Sequence, residues 1–148
     1  MALTTDGINA LRSYTDKVTP GIDPPKGTIR AAVALTPAQR DRLSELLSTF
    51  WGRDYPCPLT LDLKPQHGFQ SRVIKDKFKV DDFIEWLTLG CSDVAAVSQD
   101  HLGRPNLAVL AVKDHRSVAY DVLVPIRSNQ DGYVYVDDVI PKGLKGKP

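Results

Sequence analysis

Four apolar runs with short breaks between them, in residues 93–138, are the feature that most constrains the fold of this chain. They read DVAAVS, NLAVLAVKD, SVAYDVLVPIRS and GYVYVDD, and they are separated by HLGRPN, a His-Arg turn and NQDG. Residues with β-branched and aromatic side chains favour strands, and links of this length join antiparallel neighbours. The pattern predicts a four-stranded antiparallel meander, in which Pro125 marks a bulge or a position near the sheet edge.

The N-terminal half alternates between helical and extended patterns. Asp6 is a candidate cap for a first helix, because apolar side chains recur after it at helical spacing. TIRAAVAL, residues 28–35, is typical of a strand. Thr36-Pro37-Ala38-Gln39 predicts a helix that starts with a capping box, and Gly52 predicts its end. The expected buried side chains are Ile8, Leu11, Tyr14 and Val18 in the first helix and Leu43, Leu46, Leu47 and Phe50 in the second.

The middle of the chain adds one strand and one helix. Leucines at positions 59, 61 and 63 alternate with polar residues, which predicts a half-buried strand. Asp81 or Asp82 is expected to cap a helix that ends at Gly90 and buries Val80, Phe83, Ile84 and Leu87. Helices that come early and strands that come late predict an α+β domain, with the N-terminal helices packed on one face of the C-terminal four-stranded antiparallel meander.

The 148 residues are enough for a single domain with a buried core. Residues 1–19 are predicted to form an N-terminal helical arm, and the Pro/Gly-rich residues 20–27 a linker. Residues 28–141 then form the α+β domain, and residues 142–148 a flexible basic tail. The apolar stripe of the arm must bury against something, either in the same chain or on a partner.

Composition narrows the protein class. Hydrophobic residues make up 42% of the chain and charged residues 25%, which is typical of globular proteins and not of disordered or fibrous ones. No signal peptide and no apolar stretch of the roughly 20 residues that span a bilayer is seen, so a soluble cytoplasmic protein that binds no membrane is expected. Cys57 and Cys91 have no metal-ligand spacing, and neither a metal nor another cofactor is expected.

Positive charge is concentrated in one segment. Lys64 to Lys79 contains five cations and one acid, although the formal net charge of the chain is only +1. A strand would place Lys75, Lys77 and Lys79 on one face, and a helix would bring Arg72, Lys75 and Lys79 together. Either conformation predicts a local anion site, such as one for phosphate. The alternative is a solvated edge of exposed lysines that binds nothing.

Histidines near this segment are candidates for proton transfer or binding. His67 stands between Pro65-Gln66 and Gly68, which predicts an accessible turn, and neighbouring cations disfavour its protonated form. A general base beside cations that stabilise a phosphorane is what a metal-independent ribonuclease requires. His115 lies in a predicted turn between strands and is a candidate for substrate binding, with Lys64 and Lys79. The alternative for both histidines is an exposed turn position with no task.

The second half of the chain has a recognisable order of features. A His-Gly-Phe segment at residues 67–69 is followed by the basic residues Arg72, Lys75 and Lys77, and then by a predicted helix and meander. This order, over His67 to Ile140, resembles the barnase/EndoU/colicin/RelE-like nuclease superfamily, in the form found in phage head-associated and polymorphic toxin proteins. The resemblance implies that His67 acts as base or acid and that Arg72, with Lys75 or Lys77, stabilises the transition state at phosphate. Members often carry a second histidine and a late Ser/Thr, whereas this chain has Asp137, Asp138 and Lys142 in its last segment.

Two functions follow as hypotheses. One is a small metal-independent RNase-like domain that cleaves RNA phosphodiesters through His67 and the basic cluster. The other is a non-catalytic interaction module, such as a phage accessory, inhibitor or immunity-type protein, that docks on an acidic protein surface through the basic segment. Tyr133 and Tyr135 alternate on the last strand, and core or half-buried packing is the expectation for them rather than a platform for stacking bases.

Overall fold

The computed structural model of the chain describes residues 2–22, 27–65, 73–74, 79–89, 96–99, 105–113 and 119–142. The helices in these residues are α1 (Thr5–Asp16), α2 (Pro37–Trp51) and α3 (Val80–Leu89). The strands are β1 (Ala2–Leu3), β2 (Ile29–Ala34), β3 (Thr60–Leu63), β4 (Ala96–Gln99), β5 (Pro105–Lys113), β6 (Ala119–Ser128), β7 (Val134–Val136) and β8 (Ile140–Lys142). None of the helices in this part of the chain is both long and apolar enough to cross a bilayer.

The strands form a mixed sheet in the order β1-β2-β3-β7-β6-β5-β4, and β8 also pairs with β6. The predicted α+β class is confirmed. The prediction that the sheet is a four-stranded antiparallel meander is wrong, because β3 pairs with β7 in parallel and connects β1 and β2 to the same sheet. The antiparallel pairs β4–β5, β5–β6 and β6–β7 are therefore only part of it. A parallel pair joins segments that are far apart in sequence, so no local turn signals it.

Helix α2 begins and ends as its sequence predicts. The Thr36 side chain accepts a hydrogen bond from the backbone N–H of Gln39, the Gln39 side chain accepts one from the N–H of Thr36, and Gly52 ends the helix with φ 68°. Leu43 and Leu47 are fully buried, but Phe50 is 40% exposed and the prediction that it is buried is wrong. The buried row continues instead at Trp51, four residues after Leu47, which packs against the core.

Helix α1 packs on β2 of its own chain. Its cap is Thr4 and not Asp6, because the Thr4 side chain accepts a hydrogen bond from the N–H of Gly7 at 3.0 Å while Asp6 lies in the first turn. Leu11 and Tyr14 are buried as predicted. β1 pairs with β2 just before the helix, so residues 2–16 contribute both a strand and a helix to the core. The division of the chain into an arm and a domain by a linker at residues 20–27 stays a prediction.

Helix α3 starts at Val80, two residues earlier than a cap at Asp81 predicts, so the prediction that Asp81 or Asp82 caps it is wrong. Lys79 precedes the helix, and its backbone N–H donates to a carboxylate oxygen of Asp82 at 2.8 Å. Asp82 is thus the third helical residue, and its side chain accepts the N–H of the residue that precedes the helix. Phe83 is fully buried, and an exposed ion pair of 2.8 Å between Arg12 and Asp81 joins α1 to α3. Gly90, the predicted end of this helix, lies outside the described residues.

Pro125 lies inside the sheet, at the point where β6 changes its partner. β6 pairs with β8 through residues 121–123 and with β7 through residues 126–128, and Pro125 falls between the two stretches. Pro125 is buried, and its carbonyl accepts a hydrogen bond from the N–H of Asp137 at 3.0 Å. The irregular register of the β5–β6 pair lies elsewhere, between Val109 and Val112. A residue without an N–H is tolerated here because β8 has ended and β7 has not yet begun.

Candidate functional site

The predicted site residues divide into two groups. Lys64 and Lys79, at the two ends of the basic segment, lie in the described part of the chain. The remaining candidates lie outside the described residues: His67, Arg72, Lys75, Lys77 and His115. Within the segment, the partly buried Val73 packs against the core. The structure therefore gives the positions of Lys64, Val73 and Lys79 in this segment, and Lys64 is the cation whose side chain has defined neighbours.

Lys64 follows β3 directly and lies on the face of the sheet that is opposite the core. Its backbone N–H donates to the carbonyl of Val136 at 2.9 Å, which fixes the residue beside β7. Side chains alternate along a strand, and Leu61 and Leu63 of β3 are buried on the core face. Asp62 and Lys64 consequently share the opposite face. Lys79 is exposed, and its backbone precedes α3.

Two tyrosine rings of the last hairpin lie beneath the Lys64 ammonium. The Nζ atom of Lys64 is 4.9 Å from the ring centroid of Tyr133 and 4.6 Å from that of Tyr135. The two ring centroids are 5.6 Å apart, and the ring planes are tilted by 36°. Both distances are within the range in which a cation is attracted by the negative face of an aromatic ring. Both tyrosines are half-buried, as their alternation predicted.

Asp62 holds this arrangement together through both of its carboxylate oxygens. One oxygen accepts a hydrogen bond from the hydroxyl of Tyr133 at 2.7 Å and lies 3.5 Å from the guanidinium of Arg30. The other accepts the backbone N–H of Ala31 at 2.8 Å. Burial, followed by the hydrogen bond to Asp62 and the negative charge of that carboxylate, raises the pKa of Tyr133 to about 12. Tyr133 is therefore a neutral hydrogen-bond donor at physiological pH.

A bulge in β2 brings Arg30 to the same face. The pairing of β2 with β3 is irregular between Ile29 and Val33, and Arg30 and Ala31 are both exposed, which breaks the alternation of the strand. Ala31 has φ 48°, a conformation that costs energy for a residue with a Cβ atom. Bulges redirect side chains in this way and are frequent beside functional sites. The N–H of the bulged residue is the one that Asp62 accepts.

The same face continues across β7 to β6. Asp62, Tyr135 and Arg127 are aligned on neighbouring strands by the pairings of β3 with β7 and of β7 with β6. The guanidinium of Arg127 is 3.4 Å from a carboxylate oxygen of Asp137, and both side chains are only about one-fifth exposed, at 19% and 22%. The face thus combines two arginines that already contact carboxylates with one lysine that contacts aromatic rings.

The loop that precedes Tyr133 is tied to the end of α2. A side-chain oxygen of Asn129 accepts the backbone N–H groups of Asp131 and Tyr133, each at 3.0 Å. The hydroxyl of Tyr55 donates to the Asn129 carbonyl at 2.7 Å, and Trp51 stacks on Tyr55 with a centroid distance of 6.4 Å. These contacts fix the loop between β6 and β7, so the position of the Tyr133 ring is set by the scaffold as well as by Asp62.

The described residues hold no group of three or more histidine, cysteine, aspartate or glutamate side chains that could bind a metal ion. Cys57 is buried in the core, and burial raises the pKa of its thiol to about 12, which makes it a poor nucleophile. The described residues of the site offer a cation that can contact an anion and two tyrosine rings that can contact planar groups.

Sequence reasoning found Lys64 but did not connect it to Tyr133, Tyr135 or Asp62. The alternation of the two tyrosines indicated that they share a face. Their meeting with β3 depends on the parallel β3–β7 pair, which has no signature in the sequence. Comparison of the chain with protein-family models, with curated proteins and with solved structures finds no match.

Proposed function

We propose that this chain is a small RNase-like domain that binds RNA through Lys64 and the basic segment and cleaves its phosphodiesters without a metal, with His67 as the proton-transfer group. The observation that carries the proposal is the position of Lys64 over the rings of Tyr133 and Tyr135, on the sheet face opposite the core. A cation beside half-buried aromatic rings is the combination that single-stranded nucleic acids contact in their binding proteins.

Chain connectivity links the described site to the proposed catalytic histidine. His67 is the third residue after Lys64. Three residues span at most about 11 Å even when fully extended. A turn that folds back within this distance would bring the His67 side chain to a phosphate on the Lys64 ammonium. The short separation along the chain supports a shared site for binding and proton transfer.

Each predicted residue has a distinct role in the proposed reaction. His67 takes the proton of the attacking 2′-hydroxyl or gives one to the leaving oxygen. Arg72, with Lys75 or Lys77, stabilises the negative charge that develops on the phosphate in the transition state. Lys64 and Lys79, with His115, bind flanking phosphates. The arginines Arg30 and Arg127 do not contribute to this set, because Asp62 and Asp137 lie beside them.

Cleavage of a labelled single-stranded RNA in the presence of EDTA tests the proposal. Replacement of His67 by alanine should lower the cleavage rate by about 100-fold or more, because general acid–base catalysis contributes at least that much. His101→Ala is the matched control, since His101 lies in another predicted turn and has no role in the proposal. If the wild-type chain cleaves no RNA, or if His67→Ala is as active as His101→Ala, the proposal is wrong.

Binding can be measured apart from cleavage in the His67→Ala background. Lys64→Ala should weaken RNA binding and reduce the slope of log K against log salt by about 0.7, the value for one phosphate contact on a single strand. Lys17→Ala, which removes an exposed lysine after α1, should leave the slope unchanged. Equal slopes for all three proteins would show that Lys64 contacts no phosphate.

A second candidate function is the non-catalytic interaction module, and the pairing of charges on the sheet face favours it. Arg30 and Arg127 contact carboxylates, and the net charge is only +1, so the excess of cations is confined to the basic segment. A local patch of this kind suits an acidic protein surface as well as a polyanion. Reversal of Lys75, Lys77 and Lys79 to glutamate should abolish salt-sensitive binding of such a partner. Reversal of Lys17 and Arg42, which are exposed elsewhere, is the control.

A further inference from the structure

Lys64 occupies the place on the tyrosine pair where a planar ligand would stack. Its ammonium is within 5 Å of both ring centroids, at 4.9 and 4.6 Å, and thus contacts both rings at once. Among the described residues, no carboxylate lies within ion-pairing distance of this ammonium. Within this described part of the chain, the ammonium is held by cation–π attraction, which is weak at a partly exposed site.

The parts of this arrangement differ in how easily they move. The backbone of Lys64 is fixed by its hydrogen bond to Val136, but four rotatable carbons separate that backbone from the ammonium. The ring of Tyr133 is fixed by Asp62 at its hydroxyl and by Asn129 at its backbone. A ligand that attracts the ammonium would move the lysine side chain and leave the rings in place.

We propose that Lys64 is a movable cover over Tyr133 and Tyr135, and that a ligand carrying both a phosphate and an unpaired base draws the ammonium onto the phosphate and stacks its base on the ring surface that the ammonium leaves. This inference rests on the proposed function and specifies how the same site recognises its substrate. A charge-assisted contact with phosphate is stronger than the cation–π contact that it replaces. Base stacking on the exposed aromatic rings adds to the affinity, and it is open to any base.

A lysine that covers the rings and a lysine that only contacts phosphate predict different changes in ligand affinity when Lys64 is removed. If Lys64 only binds phosphate, its removal weakens every phosphate-bearing ligand and leaves a neutral nucleoside unaffected. If Lys64 also covers the rings, its removal makes the rings available and strengthens the binding of a neutral nucleoside. The two ligands therefore respond in opposite directions to one substitution.

Titration calorimetry of adenosine, adenosine 5′-monophosphate and inorganic phosphate tests the proposal, with the wild-type chain, Lys64→Ala and the control Lys17→Ala. We expect Lys64→Ala to bind adenosine several-fold more tightly than wild type and to bind the monophosphate about tenfold more weakly. Tyr135→Leu in the Lys64→Ala background should reduce the gain for adenosine, because it removes one of the two stacking surfaces. Lys64→Gln is a second variant that shortens the side chain and removes its charge.

Two results would overturn the proposal: adenosine affinity that is unchanged or lower in both Lys64 variants, or a gain that Tyr135→Leu leaves undiminished. Failure of the proposed function is distinguishable from these. If wild type cleaves RNA in EDTA and the adenosine gain is absent, only the cover is refuted. If RNA is neither bound nor cleaved but the gain for adenosine is present, the cover is supported and the ribonuclease proposal fails.

Discussion

Gly7 is the position at which the structure most strongly reverses an expectation from helix propensity. Replacement of a glycine inside a helix by alanine normally stabilises a protein by about 0.5–1 kcal/mol. A Cβ atom at Gly7, however, would lie 2.5 Å from the carbonyl oxygen of Ala32, 2.8 Å from its Cα and 3.0 Å from its carbonyl carbon. All three are backbone atoms of β2, so no side-chain rotation can relieve the contact.

The loss of stability expected for Gly7→Ala follows from the movement of α1 that would relieve the clash. Relief of the clash requires α1 to shift from β2 by about 1 Å, to an ordinary van der Waals separation. Overpacking of this kind costs typically about 1–3 kcal/mol. The shift also strains the hydrogen bond from the N–H of Thr4 to the Ala32 carbonyl, at 2.8 Å, which is worth about 1 kcal/mol. After subtraction of the propensity gain, we expect Gly7→Ala to destabilise the chain by about 2 kcal/mol.

Urea denaturation and thermal unfolding measure this difference. For a chain of 148 residues, about 2 kcal/mol lowers the melting temperature by about 4–8 °C. Asn9→Ala is the matched control, because Asn9 is exposed on the same helix, and it should stabilise the chain by about 0.5 kcal/mol through propensity alone. A stabilising Gly7→Ala, equal in sign to Asn9→Ala, would refute the close approach of α1 to β2.

Three further predictions rest on single residues. Ala31→Gly should stabilise the chain by about 0.5–1 kcal/mol in urea unfolding, because glycine adopts φ 48° without strain, and a destabilised variant would contradict the bulge. The pKa of Tyr133 is raised to about 12, so the unfolded chain releases this proton at a lower pH than the folded chain, and the free energy of unfolding should fall as the pH rises from 10 through 12. The fall should be smaller in Tyr133→Phe, and an equal fall would argue against the hydrogen bond to Asp62. Cys57 should react with a thiol reagent at pH 8 far more slowly in the native chain than in urea, because its thiol is buried and has a pKa of about 12. Equal rates would contradict its place in the core.

Local signals in the sequence predicted local structure well. The start and end of α2 were predictable because a capping box and a left-handed glycine act within a few residues. The cap of α1 lies two residues before the predicted one, since Thr4 and Asp6 are both of residue types that cap helices and the Thr4 side chain is the one that accepts the N–H of Gly7. Phe50 was assigned to the buried stripe because its spacing from Leu47 is helical, whereas the core extends along the four-residue row to Trp51.

Long-range pairing is what the sequence could not supply. β3 and β7 are separated by about half of the chain, and their parallel pairing places Asp62 beside Tyr133 and Tyr135. Charge counting did identify the segment that begins at Lys64, because cations close in sequence stay close in space. It could not identify the tyrosines as neighbours of that lysine, because nothing local joins residue 64 to residue 133.

The contacts of the sheet face support the proposed anion site even though the formal net charge of the chain is only +1. Arg30 and Arg127 lie beside Asp62 and Asp137, so their positive charge is largely compensated. The Lys64 ammonium instead lies over aromatic rings, whose quadrupole attracts a cation without neutralising it. Among the described residues no carboxylate pairs with it, and an unpaired ammonium is what the proposed contact with phosphate requires. Local availability of charge, and not the sum over the chain, determines where an anion binds.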